Sequence, residues 1–179
     1  MPAITRADRY STGAIWLHWI IALLVIFNIV VGLLHDSVPA LRAYMGAHKA
    51  IGIAVLVLTI GRIAWRLGHR PPPLPGAMAV WERTLAKTTW VLFYVLLLVM
   101  PLSGWIMVSA SKHPKPISFF GLFDVPLLPV SLAAGDPAGT VHTLFGYLFA
   151  ALALLHIAGA LRHQFVLRDS VLGRMLPGA

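Results

Sequence analysis

The chain has 179 residues, of which 59% are hydrophobic and only 11% are charged. This composition excludes an ordinary soluble globular domain, in which about 25% of residues are charged. The formal net charge of +8 does not indicate a nucleic-acid-binding protein, because the basic residues are distributed as in a membrane protein. The chain has no cysteine, which excludes disulfides, iron–sulfur clusters and thioether-linked cofactors.

Four apolar runs are long enough to cross a bilayer as helices, which requires about 20 residues each. They cover residues 14–34, 46–67, 90–110 and 141–161. A backbone in lipid must satisfy its own hydrogen bonds, so each run is predicted to be a helix. The predicted fold is all-α, an integral membrane four-helix bundle in a single domain over residues 1–179. The first run is too long for the apolar part of a signal peptide, so none is expected.

The connections follow in order as loop one (about 35–45), loop two (about 68–89) and loop three (about 111–139). Loop two opens with the sequence HRPPPLPG, whose prolines end the second helix. Loop three contains the apolar stretch ISFFGLFDVPLLPVSLA, which Pro126 and Pro129 interrupt. This stretch is therefore predicted to be an interfacial cap on the outside rather than a fifth span. The tail, 162–179, is predicted to be basic and cytoplasmic.

Basic residues are unevenly divided between the two sides of the predicted bundle. If the N-terminus is cytoplasmic, ten lie inside and four outside. The inside set is Arg6, Arg9, Arg62, Arg66, Arg70, Arg83, Lys87, Arg162, Arg168 and Arg174, and the outside set is Arg42, Lys49, Lys112 and Lys115. The positive-inside rule then predicts that both termini are cytoplasmic (N-in/C-in).

Four histidines lie inside or at the edge of the apolar runs, namely His18, His48, His142 and His156. An imidazole in such a segment is costly unless something binds it. His18 and His156 are predicted near the inner face, and His48 and His142 near the outer face. Fourteen residues separate the two histidines of the last run, which places their rings on nearly the same side and about 21 Å apart. Shared depth therefore predicts two bis-histidine sites.

Two imidazoles on one iron fill both axial positions, which suits electron transfer rather than oxygen activation. The pattern predicts two hemes inside the bundle, held non-covalently as heme b because there is no cysteine. Arg62 lies 14 residues after His48, at the depth of the inner heme, and is a candidate to pair with a propionate. Its alternative role is to snorkel to the interface. Gly32 lies at outer-heme depth, where a small residue permits close approach.

Other interpretations stay open from the residues alone. A single membrane histidine is as easily a hydrogen-bonded packing residue, although four at paired depths argue against this. A zinc site or proton pump would be expected to use carboxylates, and no Asp or Glu lies within any run. His163 and Arg162, at the cytoplasmic mouth, are candidates to contact a quinone or a propionate of the inner heme, or are interfacial residues without such a role.

These residues lie in segments that resemble the bacterial cytochrome b561 family. The matching segments are IWLHW at 15–19, GAHKAIG at 46–52, GRIAWRL at 61–67, PLSGW at 101–105, VHTLFGY at 141–147 and LHIAGALRHQFVLRDSVLGRMLP at 155–177. The resemblance covers almost the whole chain. It implies a multi-pass protein of the bacterial inner membrane with two b hemes, whose axial ligands are His18 and His156 for the inner heme and His48 and His142 for the outer heme.

The resemblance also implies an activity, the oxidation of periplasmic superoxide with ubiquinone as electron acceptor. Arg42, Lys49, Lys112 and Lys115 would give the outer mouth a positive field that attracts the anion, or they are ordinary loop charges. The expected partners are membrane lipid, ubiquinone and superoxide, with no nucleic acid. The alternative function is an electron-transfer subunit that anchors a separate redox partner protein, such as a dehydrogenase or hydrogenase.

Overall fold

The computed structural model of the protein describes residues 9–74, 79–169 and 171–177. Four long helices dominate these ranges: α1 (Thr12–Leu34), α2 (Met45–Gly68), α3 (Val80–Ser109) and α4 (Gly135–Arg162). Each helix packs against the next one along the chain, whereas α1 and α4 touch only lightly. The predicted four-helix bundle is confirmed.

All four helices are long and apolar enough to cross a membrane. Their large apolar side chains point outward as well as inward. Leu23, Val57 and Leu154 are 66%, 62% and 70% exposed, which is expected when lipid rather than water surrounds the bundle. The protein is an integral membrane protein.

Two predicted boundaries are wrong, because hydropathy marks the part of a helix that lies in lipid and not its end. Residues 80–89 were assigned to loop two, yet α3 begins at Val80. The Glu82 carboxylate accepts a hydrogen bond from the Ala79 backbone N–H at 3.2 Å and caps this polar first turn. Likewise α4 begins at Gly135 rather than 141, with Pro137 in the first turn, where a missing N–H costs nothing.

Loop three contains a short antiparallel hairpin of β1 (Ile117–Phe119) and β2 (Phe123–Val125), with Phe119 opposite Phe123. Its turn places Phe120 and Gly121 at positive φ, 53° and 78°, as tight hairpins of right-handed twist require. Strand β1 packs against α2. The segment is therefore not a fifth spanning helix, as expected.

The core lies midway along the bundle and draws on every helix. Its buried members are Ile21, Val25, Ile51, Val55, Leu96, Leu97 and Phe149. The rings of Phe93 and Phe149 meet edge to face at 5.9 Å. Because Phe149 is seven residues from both His142 and His156, this core separates the two ends of the bundle.

The segments before α1 and after α4 meet at one end of the bundle, here called the terminal end. The Tyr10 backbone N–H donates to the Arg174 carbonyl at 3.3 Å, and the Trp19 indole N–H donates to the Met175 carbonyl at 2.7 Å. The Arg9 guanidinium donates to the Leu176 carbonyl at 2.5 Å. The opposite end, with residues 35–44 and 110–134, is here called the loop end. Residues 174–176 thus form a strap across the terminal end.

Candidate functional site: two histidine pairs

The four membrane histidines form two pairs in the folded bundle. At the terminal end, the rings of His18 on α1 and His156 on α4 have centroids 6.3 Å apart and planes at 81°. At the loop end, the rings of His48 on α2 and His142 on α4 are 6.2 Å apart at 75°. Helix α4 contributes one ring to each pair. The pairs bridge helices that touch little: α1 with α4, and α2 with α4.

The spacing and the donor set both fit a heme iron. Two metal–imidazole bonds of about 2 Å, plus roughly 1 Å from each nitrogen to its ring centre, span about 6 Å. Among the described residues, no group of three or more His, Cys, Asp or Glu side chains could hold a metal. A pair of imidazoles is therefore suited to a metal whose other ligands come with the cofactor, as a porphyrin supplies them.

The ring of His142 is fixed by hydrogen bonds to α3. Its Nδ1 lies 3.0 Å from the Met100 carbonyl and 3.1 Å from Oγ of Ser103, and that hydroxyl also donates to the Met100 carbonyl at 2.9 Å. A carbonyl only accepts, so Nδ1 carries the proton. The lone pair is then on Nε2, and a second partner of this kind orients a metal-binding histidine.

The surroundings of His48 differ from those of its partner. The Asn28 side-chain amide donates to the His48 carbonyl at 3.1 Å, which ties α1 to the start of α2. The ring Nδ1 of His48 is buried without a hydrogen-bond partner among the described residues. His35 and Lys49 both interact electrostatically with the ring. His35, the first residue after α1, therefore lies near the loop-end pair, with its Nδ1 2.9 Å from the Gly32 carbonyl.

The terminal-end pair lies among aromatic and cationic side chains. The Phe93 ring packs edge to face on His156 at 5.1 Å, and Trp19 on His18 at 5.5 Å. Arg62 interacts electrostatically with both histidines. No carboxylate within the described residues forms an ion pair with Arg62. The neighbouring Arg66 instead stacks on the Trp90 ring at 3.5 Å.

The other predicted residues occupy the two ends. Lys49, Lys112 and Lys115 are exposed at the loop end. Arg42 is exposed there too, and its guanidinium donates to the carbonyls of His35 and Asp36 at 3.2 Å each. Lys49 follows His48 directly, so among the basic residues predicted to attract an anion it lies next to a histidine pair.

At the terminal end, the two residues proposed for a quinone or a propionate have different partners. His163 follows α4, and its Nδ1 lies 2.6 Å from Oδ2 of Asp169. Arg162 forms an ion pair with Glu82 at 3.8 Å, which joins the end of α4 to the start of α3. The π-helical turn His163–Leu167 and the left-handed Arg168 bring Asp169 back to His163.

Sequence reasoning missed the residues that hold the rings. Met100, Ser103 and Gly104 belong to the segment MPLSG, and Met100 acts through its backbone carbonyl, which no side-chain pattern reveals. A signal did exist for Gly104 and Ser103, since two small residues stand inside an apolar helix next to Pro101.

Known proteins are similar to this chain along nearly its whole length. A family model described as prokaryotic cytochrome b561 matches residues 9–178. The chain belongs to the prokaryotic cytochrome b561 family. Cytochrome b561 homolog 2 of Escherichia coli (strain K12) is 33% identical over 94% of this chain and 92% of its own length.

Two further relatives are similar along nearly their whole length. The probable superoxide oxidase CybB of Yersinia pestis is 31% identical over 94% of this chain and 96% of its own. Cytochrome b562 of Cereibacter sphaeroides is 31% identical over 97% of this chain and 98% of its own length. Membership of the cytochrome b561 family implies electron transfer with a b-type heme in a membrane.

Proposed function

We propose that this cytochrome b561 binds two non-covalent b hemes, one at each histidine pair, and carries electrons across the membrane. His18 and His156 would hold the heme at the terminal end, and His48 and His142 would hold the heme at the loop end. The observation that carries the proposal is the presence of two imidazole pairs at 6.3 Å and 6.2 Å. A heme held by two imidazoles supplies reversible one-electron transfer, with no site open for oxygen.

The chain's own residues keep the two sites apart and tune them. The 14 residues between His142 and His156 give a separation of about 21 Å along α4. Phe149 and Phe93 fill the space between and exclude water. Arg62 is placed to neutralise a propionate carboxylate at the terminal end, since a guanidinium at this depth needs an anion or a polar cavity.

The proposed electron donor is superoxide at the loop end, and the proposed acceptor is ubiquinone. Two superoxide anions lose one electron each and become dioxygen, while one quinone gains two electrons and two protons. The name of the Yersinia pestis relative supports this reaction. Lys49, with Arg42, Lys112 and Lys115 farther out, would attract the anion. His163, hydrogen-bonded to Asp169, is proposed to contact the quinone, and Arg162 is proposed to support that end through Glu82.

The proposed location is the bacterial inner membrane, with the terminal end in the cytoplasm. This orientation is supported by the positive-inside rule, because it places ten basic residues in or near the cytoplasm and four outside. Superoxide is then oxidised on the periplasmic side, and the quinone collects electrons nearer the cytoplasm.

Heme counting tests the two-heme assignment. We expect two hemes per purified chain by pyridine hemochrome, and one in each of His142→Ala and His156→Ala, because each removes a ligand from a different pair. Redox titration should then show a different heme missing in each variant. Two hemes retained in both variants would refute the assignment.

Rapid mixing with superoxide tests the reaction. We expect fast heme reduction that slows as salt rises, followed by reoxidation on adding ubiquinone. Lys49→Gln should slow the reduction several-fold at low salt, whereas Lys87→Gln, at the terminal end, should not. A heme-loaded protein that is inert to superoxide and co-purifies with a dehydrogenase would instead be a membrane subunit of that enzyme.

A further inference from the structure

Two helix glycines lie directly against the rings of the loop-end pair. A Cβ atom added to Gly104 of α3 would lie 3.0 Å from Cε1 of His142, and one added to Gly32 of α1 would lie 3.1 Å from Cε1 of His48. Both distances are shorter than ordinary van der Waals contact. Neither ring could keep its place against a residue larger than glycine.

The two contacts share the close approach of a ring to a glycine, and the His142 ring adds a hydrogen bond. In a helix the carbonyl of residue i lies beside residue i+4, on the same face. The carbonyl four residues before Gly104 is that of Met100, which accepts the hydrogen bond from His142 Nδ1 at 3.0 Å. The carbonyl four residues before Gly32 is that of Asn28, which also interacts with the His48 ring, although beyond hydrogen-bond geometry.

We propose that Gly32 and Gly104 are positioning residues that seat the loop-end rings against the backbones of α1 and α3. Each glycine leaves out the methyl group that would block the ring from the carbonyl one turn earlier. At His142 the ring then keeps its proton on Nδ1, which leaves Nε2 as the nitrogen able to bind a metal. The inference rests on the proposed function, in which these two rings would hold one heme.

The terminal-end pair has no such arrangement within the described part of the chain. The described glycines near that end contact other groups or nothing: Gly13 lies against Trp65, and Gly61 and Gly159 have no atom within 4 Å of an added Cβ. The terminal-end heme is therefore an internal reference in the same molecule. Gly46 and Gly61 of α2, where an added Cβ meets no atom within 4 Å, offer matched controls.

The substitution Gly104→Ala tests the proposal. The added methyl group must push the His142 ring away by a few tenths of an ångström, because the glycine belongs to the helix backbone and cannot retreat easily. The Nδ1 hydrogen bond to Met100 then lengthens and the imidazole becomes a weaker donor to iron. We expect two hemes by hemochrome, an upward shift in the midpoint potential of the loop-end heme, and a changed low-spin electron paramagnetic resonance signal from that heme alone.

Gly32→Ala is the second test, because it acts on the other ligand of the same heme through a different helix. It should change the same resonance signal even if Gly104→Ala fails to accumulate in the membrane. Gly46→Ala and Gly61→Ala should leave both signals and both potentials unchanged. If both loop-end variants keep two hemes with wild-type signals, or if the controls shift the heme equally, the positioning role is wrong while the two-heme function stands. A wild-type protein with fewer than two hemes would overturn both.

Discussion

Arg62 is the cation that interacts with both histidines of the terminal-end pair. A nearby positive charge favours the reduced form of a heme, which has one positive charge fewer than the oxidised form. At an effective dielectric constant of about 20, a unit charge about 10 Å away contributes roughly 1–2 kcal/mol. Arg62→Gln should therefore lower the midpoint potential of the terminal-end heme by tens of millivolts, as measured by redox titration.

The same titration contains its own controls. The loop-end heme should keep its potential in Arg62→Gln, and Arg42→Gln, at the opposite end, should leave the terminal-end heme unchanged. An equal shift of both hemes would mean that Arg62 acts through the packing of the bundle and not through its charge.

The histidines could be found from sequence because burying an imidazole in lipid is costly, and because helix rise converts residue number into depth. The groups that hydrogen-bond to these histidines could not be found from sequence. The Met100 carbonyl is a backbone group, and every residue carries one. His35 directly follows α1, and nothing in the sequence shows that its ring bonds back to the Gly32 carbonyl. These contacts are only about 3 Å long, and whether they form depends on side-chain packing that the sequence pattern does not specify.

At the scale of helices, Gly13 controls how α1 meets α2 at the terminal end. An added Cβ would lie 2.5 Å from Cζ2 of Trp65, whose indole N–H donates to Oγ of Ser11 at 2.9 Å and whose ring stacks on His69 at 4.1 Å. Gly13→Ala must displace the indole and break these contacts. We expect a loss of about 1–3 kcal/mol in the free energy of unfolding, read from tryptophan fluorescence during detergent denaturation.

Gly46→Ala is the matched control, since nothing lies within 4 Å of its added Cβ. Alanine has the higher helix propensity, by about 1 kcal/mol, so this control should be neutral or slightly stabilising. An unchanged stability in Gly13→Ala would show that Trp65 can leave its place without cost.

The helices themselves were the most predictable elements, because lipid imposes both their length and their apolar character. The residues at which the helices begin and end were less predictable. Hydropathy cannot detect the polar first turn of α3, where the Glu82 cap decides the boundary. The hairpin of loop three was predicted only as a cap, since its strands are three residues long and too short to show an alternating pattern.

For the whole molecule, the arrangement of the four helices follows from their order and from the loops between them. Each helix lies beside its neighbour in the chain, and the lightly packed α1 and α4 face one another across the terminal-end histidines. Depth in the membrane predicted which histidine belongs at which end. It could not predict the strap across the terminal end, because that strap is bound through its backbone carbonyls.

The strap also means that the terminal end is completed late in synthesis. Arg9 and Trp19 bind carbonyls that lie 167 and 156 residues later in the chain. The ribosome therefore delivers α1 long before its fastening exists, and all four helices enter the bilayer first. Until residue 176 emerges, the end of the bundle that holds His18 and His156 lacks these contacts.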